Sequence, residues 1–380
     1  MKRICIVTST RAEYGLLSRL TRILQADEEI DCRLVVTGAH LRKEYGYTVS
    51  EIEADGLDID EKIDIMTDMA GELGVCQTMS NAIESFSAYF DRTRPDLLVV
   101  LGDRYETFAI VAAAINFRIP VAHLYGGETT VGAVDEAFRH SITKMSLLHF
   151  TAAEAYSKRV IQLGEEPDRV YTVGSMGIEN IDALELMTKA ELEASLGFGL
   201  TDKYAVGTFH PVTLEDNTAR EQCLQLIQAC GRFPDIKFLF TKGNADAGGS
   251  EINALMAEAA EKMDNMELVD SLGYLRYLSA LKGAEFVIGN SSSGIVEAPA
   301  VGIPTVNIGS RQAGRLMADS IISCGSSTDE IAAAIEQALQ MEKRDIVCPY
   351  RGDHPTERIA QIIKQRLEEG IDIQKVFYDL

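Results

Sequence analysis

In Leu97-Leu98-Val99-Val100-Leu101-Gly102-Asp103-Arg104-Tyr105-Glu106 a very apolar strand runs directly into a charged loop. The first half of this stretch is an unbroken apolar run without the polar alternation of a one-sided sheet, which fits a strand buried on both faces. Gly102 turns the chain, and a helix follows from about Glu106. The same event recurs on either side. Apolar runs at Ile4–Val7, Leu34–Thr37, Val121–Leu124, His149–Thr151 and Val170–Val173 flank it. Tyr204–Thr208, Lys237–Thr241, Glu267–Val269, Phe286–Ile288 and Thr305–Ile308 repeat the pattern further on. Helical stretches fill the gaps, among them Tyr14–Leu24, Met79–Asp91, Glu106–Asn116, Val134–Leu147, Thr218–Cys230 and Glu251–Lys262. Such alternation predicts a doubly wound, parallel α/β architecture, formed twice. The break between the halves falls between Gly174 and Asp202, and the tail Pro355–Arg366 reads as a helix able to pack on either half.

A chain of 380 residues is long enough for two domains. Its net charge of −22 argues against broad nucleic-acid binding, which needs a basic surface to displace counterions, and against docking on an anionic membrane. A small anionic ligand remains compatible, because a pocket can be locally positive on an acidic protein. No apolar run approaches the ~20 residues that span a bilayer. Ile4-Cys5-Ile6-Val7 is too short for a signal-peptide core. The seven cysteines are scattered without a CxxC pair, which points to a reducing cytoplasm with no disulfide framework and no zinc site.

Ligands of open α/β sheets bind beyond the carboxyl ends of the strands, so the residues there carry the functional reading. After the first strand, Thr8-Ser9-Thr10-Arg11 enters a helix, where backbone N–H groups and Arg11 can meet a phosphate; the bland alternative is a helix cap with Arg11 pairing Glu13. Asp103, at a strand end beside Arg104, is placed to act as acid or base, against the plainer role of capping the next helix. The densest stretch runs from His123 to His140. Gly126-Gly127 permits a tight turn, Glu128 follows, Asp135 opens a helix, and Arg139 and His140 come a turn later. Asp135 can equally serve the helix dipole, and His140 can be a satisfied core residue. His149, inside an apolar strand, reads as structural.

In the second half, Phe209-His210-Pro211 closes one strand and Thr241-Lys242-Gly243-Asn244 another. The most specific anion signal is Ile288-Gly289-Asn290-Ser291-Ser292-Ser293-Gly294, a strand opening into a hydroxyl-rich loop and a helix that suits a diphosphate. It lacks a Walker lysine and is not an ATP or GTP loop. Glu297, one turn into that helix, is placed to accept two ribose hydroxyls, and Arg311 follows the last strand.

These motifs resemble the UDP-N-acetylglucosamine 2-epimerase family. The likeness rests on Thr10-Arg11-Ala12-Glu13-Tyr14-Gly15, Gly102-Asp103-Arg104, Gly126-Gly127-Glu128, Arg139-His140-Ser141-Ile142-Thr143-Lys144, Phe209-His210-Pro211, Gly289-Asn290-Ser291-Ser292 and Gly309-Ser310-Arg311-Gln312. It extends from about residue 3 to about residue 365. His210-Pro211-Val212-Thr213, where non-hydrolysing members carry His-Arg-x-Glu-Asn, draws it closer to the hydrolysing branch of sialic acid biosynthesis. One departure is Tyr125. Many relatives have a catalytic Glu there, and some sialic acid enzymes have His.

The resemblance implies a glycosyltransferase-B type fold: two Rossmann-like doubly wound domains facing a cleft. Residues 1–175 would carry the catalytic carboxylates and 176–360 would bind UDP, with 361–380 packing back on the first domain. It implies a cytoplasmic homodimer or homotetramer that needs no cofactor and no metal. Its partner would be a nucleotide sugar, not nucleic acid or membrane. The implied reaction turns UDP-N-acetylglucosamine and water into N-acetylmannosamine and UDP. Asp103, Glu128 and Asp135 would supply the acid/base groups. Arg11, His210, Ser291, Ser292 and Arg311 would hold the diphosphate and Glu297 the ribose, with Arg104, Tyr125, Arg139 and Asn244 as further substrate contacts. The competing readings are the same hydrolysis on a UDP-2,4-diacetamido-6-deoxy sugar, the non-hydrolysing epimerase, a retaining glycosyltransferase, and a silent nucleotide-sugar binder.

Overall fold

A computed structural model of the chain describes residues 1–69, 71–131, 133–211, 219–243, 249–341 and 346–380. It divides into two compact units. The first comprises Met1–Glu128, Asp135–Glu179 and Gly352–Leu380, and the second Thr129–Val134 and Asn180–Arg351. The chain thus leaves the first unit after Glu179 and re-enters it at Gly352, ahead of its last helix.

The first unit is built on strands β1 (Lys2–Thr8), β2 (Ile30–Thr37), β3 (Ile59–Ile63), β4 (Leu97–Leu101), β5 (Val121–Leu124), β6 (Leu148–Thr151) and β7 (Val170–Thr172). They pair in parallel in the order β3-β2-β1-β4-β5-β6-β7. In register, Ile4 of β1 lies between Cys32 of β2 and Leu97 of β4. Ile4, Ile6, Leu97 and Val99 face one helical layer, while Cys5, Leu98 and Val100 face the other. This explains the continuous apolar runs, since every residue of a central strand is covered. Helix Arg11–Gln25 starts on a capping box between Thr10 and Glu13. Helix Pro355–Glu369, with Pro355 in its first turn, lays Ile359, Ile363 and Leu367 into the same core as Leu17, Leu20 and Leu24. Burying each of those three side chains is worth about 1.5–3 kcal/mol.

The second unit has β8 (Tyr204–Thr208), β9 (Lys237–Thr241), β10 (Met266–Val269), β11 (Phe286–Gly289), β12 (Thr305–Ile308) and β13 (Ile321–Cys324). Their parallel order is β10-β9-β8-β11-β12-β13. β3 and β13 lie at sheet edges and were not expected from the sequence. Ile59-Asp60-Glu61-Lys62-Ile63 alternates exposed charges with half-buried positions, and Ile321–Cys324 has no fully buried residue, so neither reads as a covered strand. Among the described residues, no helix is long and apolar enough to cross a membrane.

In both sheets the strand order reverses once, between β1 and β4 and between β8 and β11. At such a switch point the flanking loops part and leave a crevice at the strand ends. The first is bordered by the loops carrying Ser9–Arg11 and Gly102–Arg104, the second by those carrying Phe209-His210 and Asn290–Ser292.

Candidate active site

The first switch point is held rigidly from below. Gly102 takes φ +83 at the end of β4, a conformation that favours glycine. Its carbonyl accepts a 2.8 Å hydrogen bond from His123 Nε2, and His123 Nδ1 lies 3.1 Å from the Thr143 hydroxyl. The Gly102 carbonyl can only accept, so Nε2 carries the proton and Thr143 donates to Nδ1. Burial pushes the His123 pKa down to about 3, and the ring is neutral. His123 therefore anchors the Asp103 loop rather than exchanging protons.

After β5, Tyr125 has φ +65 and Gly127 φ +78. A Cβ on Gly127 would sit 2.4 Å from the Tyr156 carbonyl oxygen, so only glycine fits. This turn brings Glu128, 7 % exposed, back beside Arg139. The Arg139 guanidinium is 2 % exposed, pairs with Asp103 and Glu136, and donates to the Glu128 carbonyl at 3.0 Å. Burial opposes its charge, but the carboxylates of Asp103, Glu128 and Glu136 outweigh that and raise its pKa. Arg139 was expected to touch substrate. Its fork lies in the carboxylate cluster, where a planar five-donor group can hold several acceptors at once. Asp135 is half-buried at the start of helix Asp135–Met145, one turn before Arg139, and Glu136 also reaches His140 Nε2 at 3.2 Å.

On the β1 side, Arg11 is exposed at the start of its helix, and among the described residues it forms no ion pair, with Glu13 or any other group. Arg104 Nε donates to Glu106 at 2.6 Å, and the Glu106 charge holds the Arg104 pKa well above its ordinary value. The Tyr125 hydroxyl accepts from the Met176 N–H at 2.8 Å and lies 3.2 Å from Ser175 Oγ. The Tyr125 phenol is thus tied to the first turn of helix Met176–Ala183. His149 is wholly buried and bonded to Glu165, as a structural histidine should be.

At the second switch point Asn290 binds three loops together. Its Oδ1 accepts from the His210 N–H at 2.7 Å and its Nδ2 donates to the His210 carbonyl at 2.8 Å. Its own carbonyl accepts from Arg311 at 3.0 Å and from Gln312 at 2.8 Å. His210 is 7 % exposed. Burial, with Arg311 adding repulsion, pushes its pKa down to about 3. The ring is therefore neutral, and what it offers at this loop is a neutral hydrogen bond. Gly289 has φ +132, and a Cβ there would lie 2.2 Å from the Thr208 carbonyl oxygen, so β11 and β8 close tightly under the loop. Ser291 is half-buried, Ser292 is exposed ahead of helix Ser293–Ala300, and Glu297 is half-buried within it. Asn244 lies outside the described residues.

The structure brings Asp103, Glu128 and Arg139 together in the first unit and His210, Asn290 and Arg311 in the second. The struts His123, Thr143, Asn290 and Gln312 were not expected in these roles, since a buried polar side chain in an apolar run gives no sign of the loop it supports. Among the described residues, possible metal-ligand atoms converge only at Glu179, His354 and Glu357, where Arg19 already pairs with both carboxylates.

A family model described as UDP-N-acetylglucosamine 2-epimerase matches residues 22–364. The chain belongs to the UDP-N-acetylglucosamine 2-epimerase family. Within it, the chain is 39 % identical over 342 residues to the GDP/UDP-N,N'-diacetylbacillosamine 2-epimerase (hydrolyzing) of Campylobacter jejuni, covering 90 % of this chain and 88 % of that one. It is 37 % identical to the polysialic acid biosynthesis protein P7 of Escherichia coli, over 100 % of this chain and 98 % of that one. The solved UDP-GlcNAc 2-epimerase of Neisseria meningitidis bound to UDP-GlcNAc matches with a TM-score of 0.80 at 19 % identity, covering 97 % of this chain and 100 % of that one. This 2-epimerase family member therefore has the glycosyltransferase-B type α/β fold.

Proposed function

We propose that this chain is a hydrolysing 2-epimerase of a UDP-2-acetamido sugar. The observation that carries the reading is the set of carboxylates gathered on Arg139 at the strand ends of the first sheet. Proton removal and return at one carbon need two groups held at fixed positions. In the reaction, one carboxylate among Asp103, Glu128 and Asp135 takes the C2 proton while the C1–O bond to UDP breaks, which leaves a 2-acetamidoglucal. Water then adds its oxygen at C1, and a proton reaches the opposite face of C2. The sum is hydrolysis with inversion at C2, and no electron changes hands. Arg11, Arg311 and the N–H groups after Ser291-Ser292 offset the charge building on the leaving diphosphate. His210 adds a neutral hydrogen bond, and Glu297 holds the ribose.

For the sugar, the 39 % identity to a diacetylbacillosamine enzyme supports UDP-N,N'-diacetylbacillosamine, the 2,4-diacetamido-6-deoxy form. The 37 % identity to a polysialic acid protein supports UDP-N-acetylglucosamine as a second reading. Tyr125 agrees with either, because its hydroxyl is committed to Met176 rather than to chemistry. We further propose that the protein works in the cytoplasm as a homo-oligomer. Measuring kcat/KM for both nucleotide sugars with the same enzyme preparation tests the choice. A ratio favouring the diacetamido sugar tenfold or more supports the first reading, by about 1.4 kcal/mol of transition-state discrimination. A ratio favouring UDP-N-acetylglucosamine establishes the second.

A further inference from the structure

Ser9, the first residue beyond β1, is 1 % exposed and lies between two acidic side chains. Its Oγ is 2.9 Å from Glu13 Oε2, 3.2 Å from Glu13 Oε1 and 3.0 Å from Glu106 Oε1. Glu13 is 7 % exposed and Glu106 2 %. A helix-capping box accounts for Glu13, whose Oε2 accepts from the Ser9 N–H at 2.7 Å and the Thr10 N–H at 3.3 Å. It does not account for a second buried carboxyl on the same hydroxyl, brought there from helix Tyr105–Asn116.

Counting protons resolves the cluster. A serine hydroxyl has one proton to give. With both carboxyls ionised, one oxygen–oxygen contact holds no hydrogen, and two like charges face each other out of water. One added proton repairs both faults. Glu13 Oε2 is occupied by backbone N–H groups, so the proton sits on Oε1 and is donated to Ser9 Oγ, which donates its own to Glu106 Oε1. Arg104, 2.6 Å from that same Glu106 oxygen, selects Glu106 as the ionised partner.

We propose that Glu13, Ser9 and Glu106 form a relay that holds one proton and releases it across neutral pH, with Glu13 as the acid, and that this proton sets the position of Arg104 at the strand edge. Burial, then the Glu106 charge, moves the Glu13 pKa up to about 7. The other groups around the cluster are consistent with this. Arg11 on the helix Arg11–Gln25 is exposed, and Tyr105 precedes Glu106. His40, whose Nε2 lies 3.1 Å from the Thr8 hydroxyl, is pushed by burial to about 4 and is uncharged. When Glu13 ionises, a second negative charge competes with Glu106 for the Arg104 guanidinium and draws it inward. Glu13 is thus a positioning residue, acting through Arg104. The consequence for substrate rests on the proposed function; the proton itself does not.

The test is a pH titration of the unliganded protein by difference infrared spectroscopy, beside Glu13→Gln, whose amide imitates the protonated acid. A carboxylic-acid carbonyl band should be present below pH 7, fade as pH rises through about 7, and be missing in Glu13→Gln. Glu106→Gln, which removes the like charge and frees Arg104, should shift that fading to lower pH and serves as the second variant if Glu13→Gln misfolds. A wild-type spectrum with no carboxylic-acid band titrating near neutrality overturns the relay. On the nucleotide sugar that turns over, wild-type KM should rise severalfold between pH 6 and 8 with kcat nearly constant, and Glu13→Gln should hold the pH 6 wild-type KM throughout. If the band titrates as expected but both KM profiles coincide, the claim about Arg104 fails. If no nucleotide sugar turns over, the proposed function fails, while the infrared result still decides the relay.

Discussion

Arg139→Met removes a guanidinium that three acceptors share while keeping most of the apolar stem. The side chain is 2 % exposed, against 28 % for Asp103 and 31 % for Glu136. Breaking a buried ion pair by deleting one partner costs about 3–5 kcal/mol. Asp103 and Glu136, the two ion-pair partners, can recover some hydration, so the lower end of about 3 kcal/mol applies. For a unit of this size each kcal/mol lowers Tm by about 2–4 °C, and the melt should drop by about 6–12 °C. Catalysis should suffer more than stability, because Asp103 loses the group that orients it, and misplacing a reacting group by about 1 Å costs about 100-fold. Arg139→Lys should regain much of the stability but little of the rate, since an ammonium cannot reproduce the fork. Circular dichroism melts and UDP release read both effects. A variant that melts within about 2 °C of wild type and turns over within about threefold would remove Arg139 as the strut of the site.

Asp103→Asn should lower turnover by about 10²–10⁴ while UDP affinity, measured calorimetrically, is unchanged; near-normal turnover takes Asp103 out of the mechanism. Arg311→Ala should weaken UDP binding by about 10- to 100-fold, the worth of a charged hydrogen bond, and His210→Ala by about tenfold at most, because its ring is neutral. Equal losses from the two would contradict the charge assignment. His123 and His210 each have a pKa depressed from 6.5 to about 3. Below 6.5 the unfolded chain binds protons that the folded chain refuses, so stability is fully present above 6.5 and is lost as pH falls toward 3. The slope is about 1.4 kcal/mol per pH unit for each histidine. His123→Gln should lessen the loss relative to wild type, and a His123→Gln variant whose Tm falls as steeply as wild type between pH 7 and pH 5 would refute the buried neutral His123.

The sequence made the covered strands legible because burial on both faces leaves uninterrupted apolar runs such as Leu97–Leu101. The edge strands Ile59–Ile63 and Ile321–Cys324 escaped because an edge keeps one side wet and its residues polar. Candidate chemistry was legible wherever a charged residue follows a strand, as with Asp103, His210 and Arg311. What a charged residue does there was not. Arg139 looks the same in sequence whether it meets a phosphate or three acceptors of its own chain, and only the positions of Asp103, Glu128 and Glu136 decide. The charge of His210 depends on burial and on Arg311, a hundred positions away in sequence. Glu13 and Glu106 read separately as a helix cap and a first-turn acid, and their shared contact with Ser9 exists only once β1 and β4 lie side by side.

Turnover in deuterated water reads hydrolysis and proton exchange at C2 in one experiment. UDP-N,N'-diacetylbacillosamine and UDP-N-acetylglucosamine are each incubated with the protein, and nuclear magnetic resonance follows free UDP and the hydrogen at C2. For at least one sugar the expected outcome is stoichiometric UDP release, a free sugar of inverted C2 configuration and one deuterium at that carbon. Release of UDP with C2 still protonated and uninverted, or an epimerised sugar still attached to UDP, would contradict it.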